Sequence, residues 1–316
     1  MENLNVLNLN DRPESSWRPA AIPKKDGSSR YLLIPNDALK KAQFNILQEL
    51  YKHKELKPLP CVVGFCPRRN TMTGALQHSL EAAVVIGMDC HNFFPSFPVE
   101  KVKEQLLLYS SFNRAEIDYI MDICVFHGKK REQLPMGAPT SPMLTNIGMK
   151  PVDMMLEKVA ANCGYTYTRY ADDICFASKE GVSEEDALKA RVKLIQTTAK
   201  IINDNLGISM SWKKLRTVRK VSPKTPMHIT GICVRQDNKG YHATKSVRKK
   251  ARAICHGLYK KLKAGIPADD LQSMWRKLKG LVAYCDYIKS HSEPGYNGAD
   301  KAIPGKEFNY IERCFR

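Results

Sequence analysis

Apolar and polar positions alternate first in a short pair of runs. Ala20-Ala21-Ile22-Pro23 and Tyr31-Leu32-Leu33-Ile34 flank Lys24-Lys25-Asp26-Gly27-Ser28-Ser29-Arg30. Asp-Gly with Ser is turn chemistry, so a strand pair is expected here, after a polar, irregular N-terminal segment. Helical periodicity follows at 38–52, where Leu39, Ala42, Phe44, Ile46, Leu47 and Leu50 form one wide stripe. Ala82-Ala83-Val84-Val85-Ile86-Gly87-Met88 is apolar throughout, which suits a buried strand ending at Asp89. Helices are expected over 99–109 and 114–126. A further helix is expected to start at Ser141-Pro142, with Ser as cap and Pro in the first turn. Pro151 is expected to kink or interrupt it. Two β-rich runs, Thr166-Tyr167-Thr168-Arg169 and Ile174-Cys175-Phe176-Ala177, enclose Tyr170-Ala171-Asp172-Asp173 and read as a hairpin with acid at its tip. A helix over 183–205, a strand over 227–234, a turn at 237–240 and helices over 245–263 and 269–289 complete the pattern. The stretch 293–316 suggests a loop before a last short helix.

At 316 residues the chain can bury a sizeable core, and its 43% hydrophobic and 26% charged content is that of a globular protein. No apolar stretch reaches the roughly 18 residues that a membrane span needs, and Met1-Glu2-Asn3-Leu4-Asn5 lacks a signal-peptide pattern. Ten cysteines without C-x-x-C spacing, several inside apolar runs, are expected to be reduced thiols of a cytoplasmic protein. Charge changes the picture more. Of the net +18, nearly all lies between residues 213 and 279, where 19 Lys and Arg face three acids. That concentration is the footprint of a polyanion partner, nucleic acid before an anionic membrane surface.

Asp89 ends one expected strand, and Asp172 and Asp173 tip the hairpin. If these strands are neighbours, three carboxylates converge. Adjacent carboxylates resist joint ionisation unless a cation lies between them, and oxygen-only ligands suit a hard ion such as Mg²⁺. Two such ions about 4 Å apart can clamp the attacking and leaving oxygens of a phosphoryl displacement. Neighbouring strand residues face opposite ways. Asp172 is therefore expected beside Asp89, and Asp173 only if the turn rotates it inward.

In order along the chain, Met88-Asp89-Cys90-His91-Asn92-Phe93-Phe94-Pro95-Ser96, Leu134-Pro135-Met136-Gly137-Ala138-Pro139-Thr140-Ser141-Pro142 and Tyr170-Ala171-Asp172-Asp173 resemble the palm of bacterial reverse transcriptases. Ile22-Pro23-Lys24-Lys25-Asp26-Gly27 with Arg30 resembles their fingers turn, and Gly207-Ile208-Ser209-Met210-Ser211-Trp212-Lys213-Lys214 their next palm motif. Two near matches are similar to retron enzymes in particular. Gly74-Ala75-Leu76-Gln77-His78 stands where these carry Asn-Ala-x-x-His, and Ile229-Thr230-Gly231 where they carry Val-Thr-Gly.

This resemblance implies an α+β right-hand polymerase fold. Fingers would take residues 1–80 with the N-terminal segment, the palm 81–212 with interleaved fingers helices, and a basic helical thumb 213–316. Any N-terminal helical extension would be short or absent. It implies an RNA-directed DNA polymerase using two Mg²⁺, with Mn²⁺ as a substitute, held by Asp89, Asp172, Asp173 and the Cys90 backbone carbonyl. Lys24, Lys25, Arg30, Phe93, Phe94, Met136, Gly137 and Lys214 would meet the incoming dNTP. Phe94 is the expected steric gate against a ribose 2′-hydroxyl, and Met136 replaces the family's usual Gln. His78, Thr230, Gly231, Arg248, Lys249 and Arg252 would meet the RNA template and its cDNA. Arg169 is expected to brace the carboxylates. In retrons the template is a dedicated structured non-coding RNA that primes from a guanosine 2′-hydroxyl to give branched msDNA. Such systems act in anti-phage defence with a separately encoded effector protein. Another bacterial reverse transcriptase class and a catalytically silent RNA-binding scaffold are the alternatives.

Overall fold

The structure, a computed structural model, describes residues 17–24, 27–128, 131–222, 225–235, 240–291 and 304–315. Lys25, the turn at 237–239, the N-terminal segment and the loop expected after 293 lie outside these residues. A hairpin of β1 (Trp17–Pro23) and β2 (Ser29–Pro35) leads into α1 (Asp37–Lys52). The Asn36 side chain caps α1 by accepting from the Leu39 amide at 2.8 Å. Then follow α2 (Thr71–Ala75), β3 (Val84–Asp89), α3 (Phe93–Ser96), α4 (Val99–Tyr109) and α5 (Arg114–Cys124). A short pair, β4 (Phe126–His127) and β5 (Glu132–Gln133), precedes α6 (Ser141–Asn162). The acidic hairpin is β6 (Tyr165–Tyr170) and β7 (Asp173–Ser178), followed by α7 (Glu184–Leu206) and β8 (Arg216–Arg219). Last come β9 (Met227–Ile229), β10 (Ile232–Arg235), β11 (Gly240–Ala243), α8 (Lys245–Lys263), α9 (Gln272–Ser290) and α10 (Gly305–Cys314).

The central sheet is antiparallel in the order β6-β7-β3-β8. Its middle strands are buried on both faces, as the unbroken apolar run of β3 requires. Strand alternation sends Val84, Ile86 and Met88, with Ile174 and Phe176, into a main core shared with α1, α4, α5, α6 and α7. Val85, Cys175 and Ala177 face the other way, into a second core with α2, the β11-β10-β9 sheet and α9. A third cluster joins α8, α9 and α10 around Cys255, Leu258, Trp275, Leu278 and Ile311. The class is α+β with antiparallel sheets against helices, as expected.

Four local readings change. The run 227–234 is two strands, not one: Thr230 and Gly231 both have positive φ, +46° and +82°, and make a two-residue hairpin loop between β9 and β10. Helix α6 is not interrupted at Pro151. Leu144 and Ile147 before it and Val152 and Leu156 after it are all buried in one core, which outweighs one missing hydrogen bond. The cap of α6 is Thr140, while the Ser141 hydroxyl donates instead to the Pro135 carbonyl at 2.8 Å. The helix expected over 269–289 begins as a 3₁₀ turn, Asp269–Leu271. No strand is legible at 216–219 from the sequence pattern, yet β8 completes the sheet beside β3.

Candidate active site

The register of β3 against β7 places Asp89 directly opposite Asp173. Directly opposed residues of an antiparallel pair present their side chains on one face, so Asp173 shares the face of Asp89 without any rotation by the turn. Asp172, expected beside Asp89, lies at the turn, and Asp89 is the largest charge acting on it. Ala171 before it is left-handed, with φ +53°, and the Cys90 amide donates to the Asp172 carbonyl at 3.1 Å. Burial raises the Asp172 carboxyl above the usual carboxylate range, and the nearby Asp89 charge raises it further, while Lys214 and Arg30 oppose. Asp173 is pushed up to about 6, first by burial, with Arg216 lowering it and both other aspartates raising it.

Basic side chains converge on these acids from three elements. Lys214 lies in a 3₁₀ turn, Trp212–Lys214, and its Nζ is 2.7 Å from Asp89 Oδ1. The chain before it is zipped to the end of β3, since the Ser211 amide donates to the Asp89 carbonyl at 2.7 Å and the His91 amide to the Ser209 carbonyl at 2.9 Å. Arg216 on β8 stands 3.7 Å from Asp173 Oδ1. It lies opposite Gly87, where a Cβ would come within 3.3 Å of its guanidinium. Arg30, exposed on β2, is close enough to lower Asp172. Lys24 is exposed in the turn of the first hairpin, its amide donating to the Ser28 carbonyl at 2.7 Å.

The 135–140 loop is latched onto β2, with the Leu33 amide donating to the Met136 carbonyl at 2.9 Å. Gly137 has φ +120°, and a Cβ there would lie 2.9 Å from the Leu33 carbonyl oxygen. Only glycine meets both conditions. Phe94 is half-buried at the edge of the main core. Phe93, expected beside it at the nucleotide, is instead a core ring, 2% exposed and packed edge-on against Phe97. Asn92, left-handed with φ +48°, precedes it at the start of α3.

Some residues expected at the RNA are buried. His78 is 3% exposed, its Nε2 lies 2.7 Å from Thr168 Oγ1, and burial lowers its pKa to about 4. A neutral buried ring is not presented to a phosphate, so direct contact through His78 is corrected to a packing position against β6. Thr230 is also buried, and a Cβ at Gly74 would lie 3.3 Å from its Oγ1. The two segments similar to retron motifs thus meet across some 150 residues of sequence. Gly231 is exposed at the hairpin tip. Lys249 and Arg252 are exposed on α8, and Arg248 is half-buried.

Arg169, expected to brace the site carboxylates, is 0% exposed and pairs instead with Asp153 of α6 at 2.7 Å. An acid between Val152 and Leu156, on the apolar side of a helix, was the available signal. Arg216 carried none, because its partner Asp173 is reached only through strand pairing.

These groups fit a hard divalent cation. Their donors are carboxylate oxygens, and burial raises Asp172 and Asp173. Asp89 and Asp173 already draw cationic side chains. Among the described residues, no three His, Cys, Asp or Glu side chains stand already gathered as a metal cage. No helix among them is long and apolar enough to cross a membrane.

A family model described as reverse transcriptase (RNA-dependent DNA polymerase) matches residues 22–234. The chain is 30% identical over 285 residues to the retron Mx162 reverse transcriptase of Myxococcus xanthus, covering 85% of this chain and 56% of that protein. It is 27% identical over 246 residues to the retron Ec86 reverse transcriptase of Escherichia coli, covering 77% and 70%. The chain spans little more than half the length of the Myxococcus relatives, 56% and 59%. Among solved structures it is similar to apo telomerase from Candida tropicalis, with TM-score 0.47 and 14% identity over 70% of this chain and 53% of that one. It is also similar to a foamy viral protease-reverse transcriptase in complex with double-stranded DNA, with TM-score 0.43 and 14% identity over 95% and 43%. All of its sequence motifs from Ile22 to Val234 fall within the matched span, and the chain belongs to the reverse transcriptase (RNA-dependent DNA polymerase) family.

Proposed function

We propose that this protein is an RNA-directed DNA polymerase of retron type, copying a dedicated structured non-coding RNA into RNA-linked single-stranded DNA. The observation that supports the reading is the register of β3 and β7, which sets Asp173 opposite Asp89, with the Asp89 charge acting on Asp172 and Lys214 2.7 Å from Asp89. Asp89, Asp172 and Asp173, with the Cys90 carbonyl, would hold two Mg²⁺ (or Mn²⁺). Bound there, the ions would acidify the attacking 3′-hydroxyl and neutralise charge on the leaving pyrophosphate. Lys24, Lys25 and Arg30 hold the triphosphate, Arg30 as a planar fork and the lysines as point charges. Met136 and Gly137 shape the floor under base and sugar, and Phe94 excludes a 2′-hydroxyl. Lys214, next to Asp89, donates a proton or charge to the departing pyrophosphate. Positioning and charge neutralisation supply most of the rate.

Residues 1–80 act as fingers, 81–212 as palm and 213–316 as thumb. The thumb grips backbone phosphates through Lys249 and Arg252, with Arg248 behind them, and Gly231 marks the loop nearest the RNA. A cytoplasmic location is supported by ten free cysteines, eight of them buried, and anti-phage defence with an effector protein by the likeness to retron enzymes. Asp172→Asn is expected to abolish Mg²⁺-dependent dNTP incorporation and leave RNA binding within about twofold. Undiminished synthesis by this variant would remove the site assignment. Sequencing the nucleic acid that copurifies with the protein tests the retron reading: one structured RNA covalently joined to its cDNA supports it, and free cDNA alone counts against it.

A further inference from the structure

Among the described residues Arg169 is the largest fully buried side chain, a guanidinium three residues before Asp172. Its Nε and Nη2 donate to the two carboxylate oxygens of Asp153, each at 2.7 Å. Its Nη1 donates to Asn146 Oδ1 and to the Ala171 carbonyl, both at 3.1 Å. The Tyr167 hydroxyl donates to Asp153 Oδ1 at 2.7 Å, and the Asn146 side-chain amide donates to the Gly64 carbonyl at 3.0 Å. Main chain closes the frame: the Arg169 amide donates to the Cys61 carbonyl and the Val63 amide to the Arg169 carbonyl, both at 2.9 Å.

Two physical points make this more than packing. A buried ion pair is poor at adding stability, because desolvation offsets its attraction, so specificity of geometry is the better account of one. And the acceptor it serves is Ala171, a non-glycine residue held at φ +53°, where an L side chain is strained. Arg169 donates to the carbonyl of that residue from a guanidinium tied at both carboxylate oxygens of Asp153. Asp153 and Asn146 both lie on α6, whose first turn is tied to Pro135 in the loop carrying Met136 and Gly137.

We propose that Asp153, Arg169 and Asn146 form the positioning device of the acidic turn. They hold Ala171 in its left-handed state and so set the Asp172 carboxylate against Asp89. They are positioning residues, acting on the acids through the backbone of the turn. The proposal rests on the reading of Asp89 and Asp172 as the cation-holding pair, and the test separates the two.

The double variant Asp153→Leu/Arg169→Met replaces the ion pair with apolar groups of comparable bulk. Asn146→Ala removes one uncharged partner and leaves the pair intact. Each is compared with wild type and Asp172→Asn for thermal midpoint, duplex affinity, single-nucleotide kinetics and Mn²⁺ binding followed by its spin-resonance signal without nucleotide. The double variant is expected to fold and bind RNA–DNA duplex like wild type. Its kcat should fall roughly 10- to 100-fold with little change in dNTP KM, the scale of a misplaced reacting group. It should bind less Mn²⁺ and so leave more of the sharp six-line signal of the free ion. Asn146→Ala should move the same readouts in the same direction by roughly three- to tenfold. Wild-type kcat and Mn²⁺ signal in a folded double variant overturn the proposal. If the double variant does not fold, Asn146→Ala decides alone, and unchanged kcat and Mn²⁺ binding there overturn it. A wild-type Mn²⁺ signal in Asp172→Asn would instead strike at the reading of the site, whatever the other variants do.

Discussion

At the scale of single residues, the three aspartates stand out as chemistry in the linear chain, because acids at the ends of apolar runs are conspicuous. Their charge state is not visible there, since it depends on who surrounds them. Asp173 titrates near 6 rather than in the usual carboxylate range, chiefly through burial. A carboxyl raised in the folded state contributes stability that is present below its unfolded pKa and is lost as pH rises through about 6. A cation binding the ionised acids opposes that loss. Mg²⁺ is therefore expected to raise the thermal midpoint at pH 7.5 and to have little effect at pH 5. Equal shifts at both values would show that Asp173 does not take part. His78 gives the opposite lesson. A histidine in a motif similar to those of retron enzymes suggests a contact with RNA, but its ring is neutral, buried and hydrogen-bonded to Thr168. Nothing in the local sequence distinguishes a surface histidine from a buried one.

At the scale of elements, periodicity located most helices to within a residue or two and both strands of the acidic hairpin. Its misses share a cause. The hairpin loop at Thr230-Gly231 hides inside an apolar run because Thr rarely takes positive φ, and tertiary packing imposes it there. Strand β8 is short and carries two arginines, so only its pairing with β3 makes it a strand. The 135–140 loop was marked in the sequence by its motif resemblance, but its docking on β2 was not. Gly137→Ala must relieve a 2.9 Å approach to the Leu33 carbonyl at a backbone angle that side chains avoid. It is expected to cost about 1–3 kcal/mol of stability and to raise the dNTP KM more than it lowers kcat. Steady-state kinetics and thermal melting read both effects. A variant with wild-type KM would mean that the latch between Met136 and Leu33 does not shape the nucleotide floor.

At the scale of the molecule, net charge +18 concentrated after residue 213 supports the proposed nucleic-acid partner and makes its binding salt-dependent. Affinity for an RNA–DNA duplex is expected to fall linearly on a log–log plot, by about a thousandfold between 50 and 200 mM salt for roughly six phosphate contacts. Neutralising Lys249 and Arg252 to Gln should lower the slope by about two, and an unchanged slope would place the phosphate contacts elsewhere. Composition and periodicity marked the helices, the strands and the basic C-terminal third, and motif order carried the resemblance that implied the α+β class and singled out the three acids, because each is encoded in residues adjacent along the chain. Pairing across the chain set the rest. It made Asp173, rather than Asp172, the strand partner of Asp89, sent Phe93 inward, stood Arg216 over Gly87 and buried Arg169 against Asp153. Each depends on contacts between residues far apart in sequence, whose register and burial exist only once the sheet has closed on α6 and α2.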